Sequence, residues 1–148
     1  MDSFWAELLK NKSFWVTNAS WAITQGIKVL LGLVRERKFN FNWILRTGGM
    51  PSAHSAAVAA LATSLGKEFG FSSPIFTLGC LFALLTMFDA QTWRRSIGVQ
   101  ARILNRMMSD IHSKKKPGES RLKELAGHTP TEVFVGGLIG ILITLIFY

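Results

Sequence analysis

Apolar residues gather in four long stretches separated by short polar or basic connections. The first, Ser13–Val34, carries Lys28 as its one charge, and the second, Thr47–Gly66, has no formal charge but includes His54. The third, Phe69–Phe88, and the fourth, Val133–Tyr148, are charge-free, and the third is predicted to be helical from Pro74. Crossing a bilayer takes about 20 mostly apolar residues. A helix in a soluble bundle keeps a polar stripe at period 3.6, and neither Ile75–Phe88 nor Val133–Tyr148 has one. The pattern predicts an all-α fold: a polytopic membrane helical bundle of about four transmembrane helices, forming one membrane-embedded domain over residues 1–148.

The connecting segments add detail. Phe4, Trp5, Leu8 and Leu9 recur at helical spacing, so residues 1–12 read as an interfacial helix, with a disordered end as the alternative. Asp2 and Glu7, with no basic start, argue against a cleavable signal there. Small residues fill the second stretch (Ala56, Ala57, Ala59, Ala60, Ala62, Ser64), and Gly136 and Gly140 lie four apart in the fourth. Small side chains let backbones approach closely within a membrane, so these two helices are expected inside the bundle. Phe14, Trp15, Trp21 and Trp43 are placed as interfacial anchors. Arg35–Arg46 reads as a basic loop. Asp89–His112 reads as an extension of the third helix beyond the hydrocarbon, and 113–121 as a flexible basic loop around its Pro-Gly pair.

Composition agrees. Apolar residues make up 49% and charged residues 18%, against roughly 25% charged in soluble domains, and mean hydropathy is +0.27. Disorder and a disulfide scaffold are excluded, and Cys80, the one cysteine, is expected to be an inert core thiol. The net charge of +8 suits nucleic acid, anionic lipid or phosphorylated substrates. No nucleic-acid-binding module is recognisable, so the expected partners are the lipid bilayer and a phosphate-bearing molecule, with no nucleic acid. With four crossings, one face holds Arg35, Arg37, Lys38, Arg46 and nine further Lys/Arg from Arg94 to Lys123; the other holds Lys10, Lys12 and Lys67. The positive-inside rule then makes this a multi-pass cell-membrane protein with its basic face in the cytoplasm.

Three polar sets converge on that face. Lys28 and Arg35, seven residues apart, lie on one side of the first membrane helix. A lysine so far into a membrane helix either has a functional partner or snorkels to the surface. The second set is Thr47-Gly48-Gly49-Met50-Pro51-Ser52-Ala53-His54-Ser55. Paired glycines allow close backbone approach, and Pro51 suits a helix start, which puts Ser52 and His54 in a first turn whose N–H groups favour an anion. A plain capped helix with an incidental histidine is the alternative. The third set is Gly127-His128-Thr129-Pro130-Thr131-Glu132. Thr129-x-x-Glu132 is a capping box with Pro130 at the first helical position. The same carboxylate, four residues from His128, is also placed to accept its imidazole N–H. These two roles compete for one side chain. Acids are few and scattered, which argues against a metal site, and His112, beside three lysines, reads as a solvated surface residue.

The order K-x6-R, then P-S-x-H, then an arginine and G-H-x-P-x-E resembles the type 2 phosphatidic acid phosphatase superfamily, which includes lipid phosphate phosphatases, bacterial acid phosphatases and vanadium haloperoxidases. GGMPSAHSAAV, FDAQTWRR and LKELAGHTPTEVFVGG look like its short divergent branch of membrane proteins, and the resemblance covers Gln25 to Gly140. It implies an integral-membrane lipid phosphate or pyrophosphate phosphatase that needs no metal or other cofactor. His128 would attack phosphorus, Glu132 would orient it, and His54 would protonate the leaving oxygen and later activate water. Lys28, Arg35, Ser52, Gly48 and Gly49 would hold the phosphate oxygens. Phospholipid or polyprenyl phosphates are the implied substrates, and vanadate is expected to inhibit as a phosphate mimic.

The chain departs from the family pattern in four places. Glu36 follows Arg35 where proline is usual, Ala53 replaces glycine, and Glu132 replaces aspartate. Arg121 precedes His128 by seven positions rather than six, so Arg95 or Arg94 is favoured for the third-set arginine, with Asp89 as a buried partner for a cation or, alternatively, a helix-end charge at the interface. These departures leave open a non-catalytic protein that binds phosphate or anionic lipid in the same cradle. Larger members have six crossings, and a homo-oligomer would cover the side that a four-helix chain leaves bare.

Overall fold

A computed structural model describes residues 2–37, 49–111 and 127–148, apart from the side chains of Asp2, Arg35, Glu36, Trp93, Arg94, Arg95, Asp110 and Ile111. The described residues form five helices and no strand: α1 (Asp2–Lys10), α2 (Lys12–Glu36), α3 (Ala53–Phe69), α4 (Pro74–Ile111) and α5 (Pro130–Phe147). The fold is the expected all-α bundle. The short α1 sits where an interfacial helix was predicted and leaves Phe4, Trp5 and Leu9 exposed. Asn11 ends it and caps α2, its side chain accepting from the Phe14 N–H at 2.8 Å. The basic segments at 38–48 and 112–126, with Trp43, His112 and the loop at 113–121, lie outside the described residues.

α3 is the centre, packing against α2, α4 and α5, whereas α4 and α5 barely touch each other. α2 and α3 are antiparallel, and α3 and α5 are parallel. At one end the Ser52 N–H donates to the Glu132 carbonyl at 3.1 Å. At the other, one Glu68 carboxylate oxygen accepts from the Ser13 hydroxyl at 2.7 Å and from the Tyr148 phenol at 2.9 Å. Between these ends the α3–α5 register is constant. A Cβ on Gly136 would strike the Ser52 carbonyl, and one on Gly140 the Ala56 carbonyl. One turn further, the Thr144 hydroxyl donates to the Ala60 carbonyl at 3.3 Å. Glycine is required at the first two positions because the facing backbone leaves no room for a methyl.

The bundle is inside-out by the standard of a soluble protein. Its largest fully buried side chains are Thr24, Thr144, Pro51, Ser20, Ser52, Ser55 and Ser64, and the remaining core is mostly alanine. Leucine, isoleucine and phenylalanine cover the exterior, Leu78, Leu84, Leu85, Phe88, Phe134 and Ile146 among them. Lipid tails are as apolar as leucine, so large apolar side chains gain little by turning inward, while small ones allow tight helix contact. Among the described residues, two helices, Pro74–Ser109 within α4 and Pro130–Phe147, are long and apolar enough to cross a membrane. The sequence pattern led to an expectation of about four. α2 falls short because Ser13, Thr17, Ser20, Thr24 and Lys28 interrupt it, and α3 because it has only 17 residues, with hydroxyls among them.

Two local expectations are corrected. Pro51 does not open α3: Ser52 is its cap, with Oγ accepting from the Ser55 N–H at 3.4 Å, so the helix begins at Ala53. Asp89 is exposed rather than buried, on an outward face of α4. Beside it the buried Ala90 carbonyl accepts from the His128 N–H at 3.1 Å. From Gln91 to Ile111, α4 runs on for about 30 Å at 1.5 Å per residue, with Gly98 and Ala101 buried. Cys80 is half-buried on α4.

Candidate functional site

The site lies where α3 and α5 begin. α5 is started by a complete capping box: the Thr129 hydroxyl accepts from the Glu132 N–H at 3.4 Å, and the Glu132 side chain accepts from the Thr129 N–H at 3.1 Å. Pro130 opens the helix, where a missing N–H costs nothing. Gly127, at φ +106°, makes the left-handed turn that brings His128 into the corner.

The competition anticipated for Glu132 does not arise. The oxygen that accepts from the Thr129 N–H, Oε2, also lies 3.1 Å from His128 Nδ1. A carboxylate only accepts, so Nδ1 carries the hydrogen, and in the neutral ring Nε2 keeps the lone pair. The His128 side chain is 2% exposed and that of Glu132 is 19%. The charge-assisted bond is therefore partly shielded, and the ring is held in one tautomer.

The P-S-x-H segment is fastened to this corner by the Ser52–Glu132 backbone bond. Ser52 is fully buried, and its Oγ accepts from both the N–H and the hydroxyl of Ser55, the latter at 3.0 Å. With those lone pairs engaged, the Ser52 hydroxyl is left as a donor. His54, two residues on, is exposed in the first turn of α3. Gly49 turns at φ +94°, and a Cβ there would lie 3.3 Å from Lys28 Cε. The half-buried Lys28 side chain thus runs toward the paired-glycine segment. Two helix N-termini, with their positive dipole ends, share this end of the bundle.

The structure therefore gathers Lys28, Gly49, Ser52, His54, His128 and Glu132 at one end. Gly48 and Arg121 lie outside the described residues, as do the side chains of Arg35, Arg94 and Arg95, and with them the choice of third-set arginine. The backbone of Arg35 lies in the last turn of α2, on this same end, and Arg94 and Arg95 follow Ala90 by about one turn. Two roles were missed from sequence, one of them that of Ser55 within the second set. Ser55 fixes the Ser52 hydroxyl, and its signal was the i, i+3 spacing. The Ala90 carbonyl holds the His128 backbone, and nothing in the sequence marks it.

Residues 9–143 match the Divergent PAP2 family, nearly the whole chain. The chain belongs to the Divergent PAP2 family. This divergent PAP2 protein is 41% identical to an uncharacterized membrane protein, YuiD, of Bacillus subtilis (strain 168), an alignment covering 95% of this chain and 96% of that protein. No solved structure matches it. The match runs from the end of α1 into α5, so it takes in every segment that builds the site.

Proposed function

We propose that this divergent PAP2 protein is a multi-pass membrane phosphatase that removes a terminal phosphate from a lipid phosphate or pyrophosphate through a phosphohistidine, without a metal. The reading rests above all on one observation: His128 has its Nδ1 held by Glu132, in a corner bonded directly to the helix start that carries Ser52 and His54. All four long helices α2–α5 would cross the membrane, with the site on the cytoplasmic face.

Nε2 of His128 attacks phosphorus as the bond to the lipid oxygen breaks. His54 gives a proton to that oxygen, which leaves as the lipid alcohol or, from a pyrophosphate, as the lipid monophosphate. Water then attacks the phosphohistidine, His54 takes its proton, and inorganic phosphate departs with His128 restored. Glu132 stabilises the cationic ring between the two steps. Lys28, Arg35, the Ser52 hydroxyl and the Gly48/Gly49 backbone carry the charge on the phosphate oxygens. Phosphoryl transfer asks mainly for such positioning and charge stabilisation.

A second reading, a binder without catalysis, is favoured by the Ala53 methyl, which stands where the family has glycine. Purified protein assayed for phosphate release from lipid phosphates, beside His128→Ala and His54→Ala, tests both. Release that disappears in His128→Ala, with covalent radiolabel trapped in His54→Ala, is the expected result. Equal release by wild type and His128→Ala ends the phosphatase reading, and vanadate binding without any release identifies the binder.

A further inference from the structure

Because α4 and α5 both lean on α3 and touch each other only slightly, a trough opens between them on the outer face of the bundle. It has two lobes. The lobe nearer the site, about 670 Å³, reaches Gln91, Pro130 and Val133, beside His128 and Glu132. The far lobe, about 550 Å³, is floored by Ala59 and Ala62 of α3. It is bounded by Phe71 and Phe76, whose rings meet edge to face with centroids 5.1 Å apart. Leu84, Met87 and Phe134 line both lobes, so the lobes join there. At this waist Met87 faces Gly137: a Cβ on Gly137 would lie only 2.5 Å from the Met87 methyl. Thr63, the hydroxyl in the far lobe, already donates to the Ala59 carbonyl at 2.8 Å. Apart from the Gln91 amide at the site end, the lining offers a hydrocarbon chain nothing that needs water.

We infer that this trough holds one hydrocarbon chain of the lipid whose phosphate sits at His128, and that Met87 against Gly137 gauges its length. The inference rests on the phosphatase reading only for the position of the head group. Three observations select the occupant. The trough opens onto the apolar exterior that faces lipid. Its one end with a polar amide, at Gln91, adjoins the site, and the other end is aromatic. Its length also fits. From Pro130 to Gly137 is about 10 Å, and from Pro130 to Leu145 about 22 Å, at 1.5 Å per residue. A leaflet is only about 15 Å deep, so a chain filling both lobes passes the bilayer midplane. An extended carbon chain rises about 1.25 Å per bond of about 1.5 Å. A geranyl chain, about 10 Å long, stops at the waist, and a geranylgeranyl chain, about 20 Å long, fills the far lobe.

The test measures binding of non-hydrolysable geranyl and geranylgeranyl phosphonates to the full-length protein in detergent by titration calorimetry. Wild type is expected to bind the longer chain about tenfold tighter or more, from the added apolar burial. Leu138→Trp, at a partly exposed position lining only the far lobe, is expected to bring the two within about twofold of each other while leaving geranyl affinity unchanged, because only the far lobe is closed. Met87→Trp, at the waist shared by both lobes, should also bring the two within about twofold, and carries the test if the Leu138 variant fails to fold. A chain-length preference that survives in the folded variants overturns the proposal, as does equal weakening of both ligands in Leu138→Trp. A change in oligomeric state by light scattering, with the preference intact, would make the trough an interface between copies and also overturn it. Phosphate release is assayed in parallel. In the wild type, no release with the preference present counts against the phosphatase reading alone; no preference with release present counts against the trough alone.

Discussion

The Ser52 N–H donates to the Glu132 carbonyl at 3.1 Å, across 80 residues of chain. This bond joins the start of α3 to the start of α5, and through them the serine-histidine segment to the His128–Glu132 pair. It also sets the phase of the helix contact below it, in which Gly136 lies against the Ser52 carbonyl and Gly140 against the Ala56 carbonyl. A methyl at either glycine meets backbone, which does not yield. Gly136→Ala and Gly140→Ala should each cost about 1–3 kcal/mol, read as a lower unfolding midpoint in detergent. Gly26→Ala, with nothing within 4 Å of the new methyl, should be neutral or gain up to about 1 kcal/mol from helix propensity. Equal effects at all three positions would refute the close-packing account.

Glu132 both caps α5 and orients His128 through the same oxygen. Glu132→Ala should therefore lose about 1 kcal/mol of stability from the cap and about 100-fold or more in phosphate release from the unoriented imidazole. Glu132→Gln keeps an accepting oxygen but no charge. It should retain most of the stability and lose activity to an intermediate degree. An alanine variant that melts early yet turns over at the wild-type rate would reduce Glu132 to a cap.

At the opposite end, Tyr148 is the protein's one tyrosine, so its ionisation can be followed alone by ultraviolet absorbance. Burial pushes its phenol above the usual value of 10.0; the bond to Glu68 and that carboxylate's charge push the same way, while the Ser13 hydroxyl opposes them. The protonated phenol is thus the form that the fold prefers. Its contribution to stability is complete below the unfolded pKa and is lost as pH rises through the folded one. The absorbance midpoint should lie above 10.0 and move down in Glu68→Gln. A wild-type midpoint at or below that value would contradict the contact.

Sidedness is tested by Gly118→Cys in a Cys80→Ala background. An impermeant thiol reagent should leave this cysteine unlabelled in intact cells and label it after lysis. Labelling of intact cells would put the basic face, and the site with it, outside.

Much of the bundle was legible because each long helix is announced by its edges. Pro74 opens α4, and the Thr-Pro-Thr-Glu run opens α5. Gly136 and Gly140 were readable as an interior face because only close backbone contact demands small residues at that spacing. The start of α3 was misjudged because proline suits a first turn, yet Ser52 supplies the stronger stop by capping. Asp89 was misjudged because its exposure depends on which face α4 turns to its neighbours, a tertiary property. For the same reason periodicity could not foretell the α4–α5 trough, which depends on two helices touching only slightly. Nor could it show that one carboxylate oxygen serves two donors, since that depends on the angle at which His128 enters the corner.

The constant α3–α5 register has a dynamic consequence. Glycine against carbonyl at two successive turns, with a threonine bond at the third, works like teeth on a rack: sliding by one residue would drive every contact out of phase at once. These two helices behave as a stator. α4 packs on α3 and touches α5 only slightly, so it is the helix that can shift without breaking any tooth of that rack.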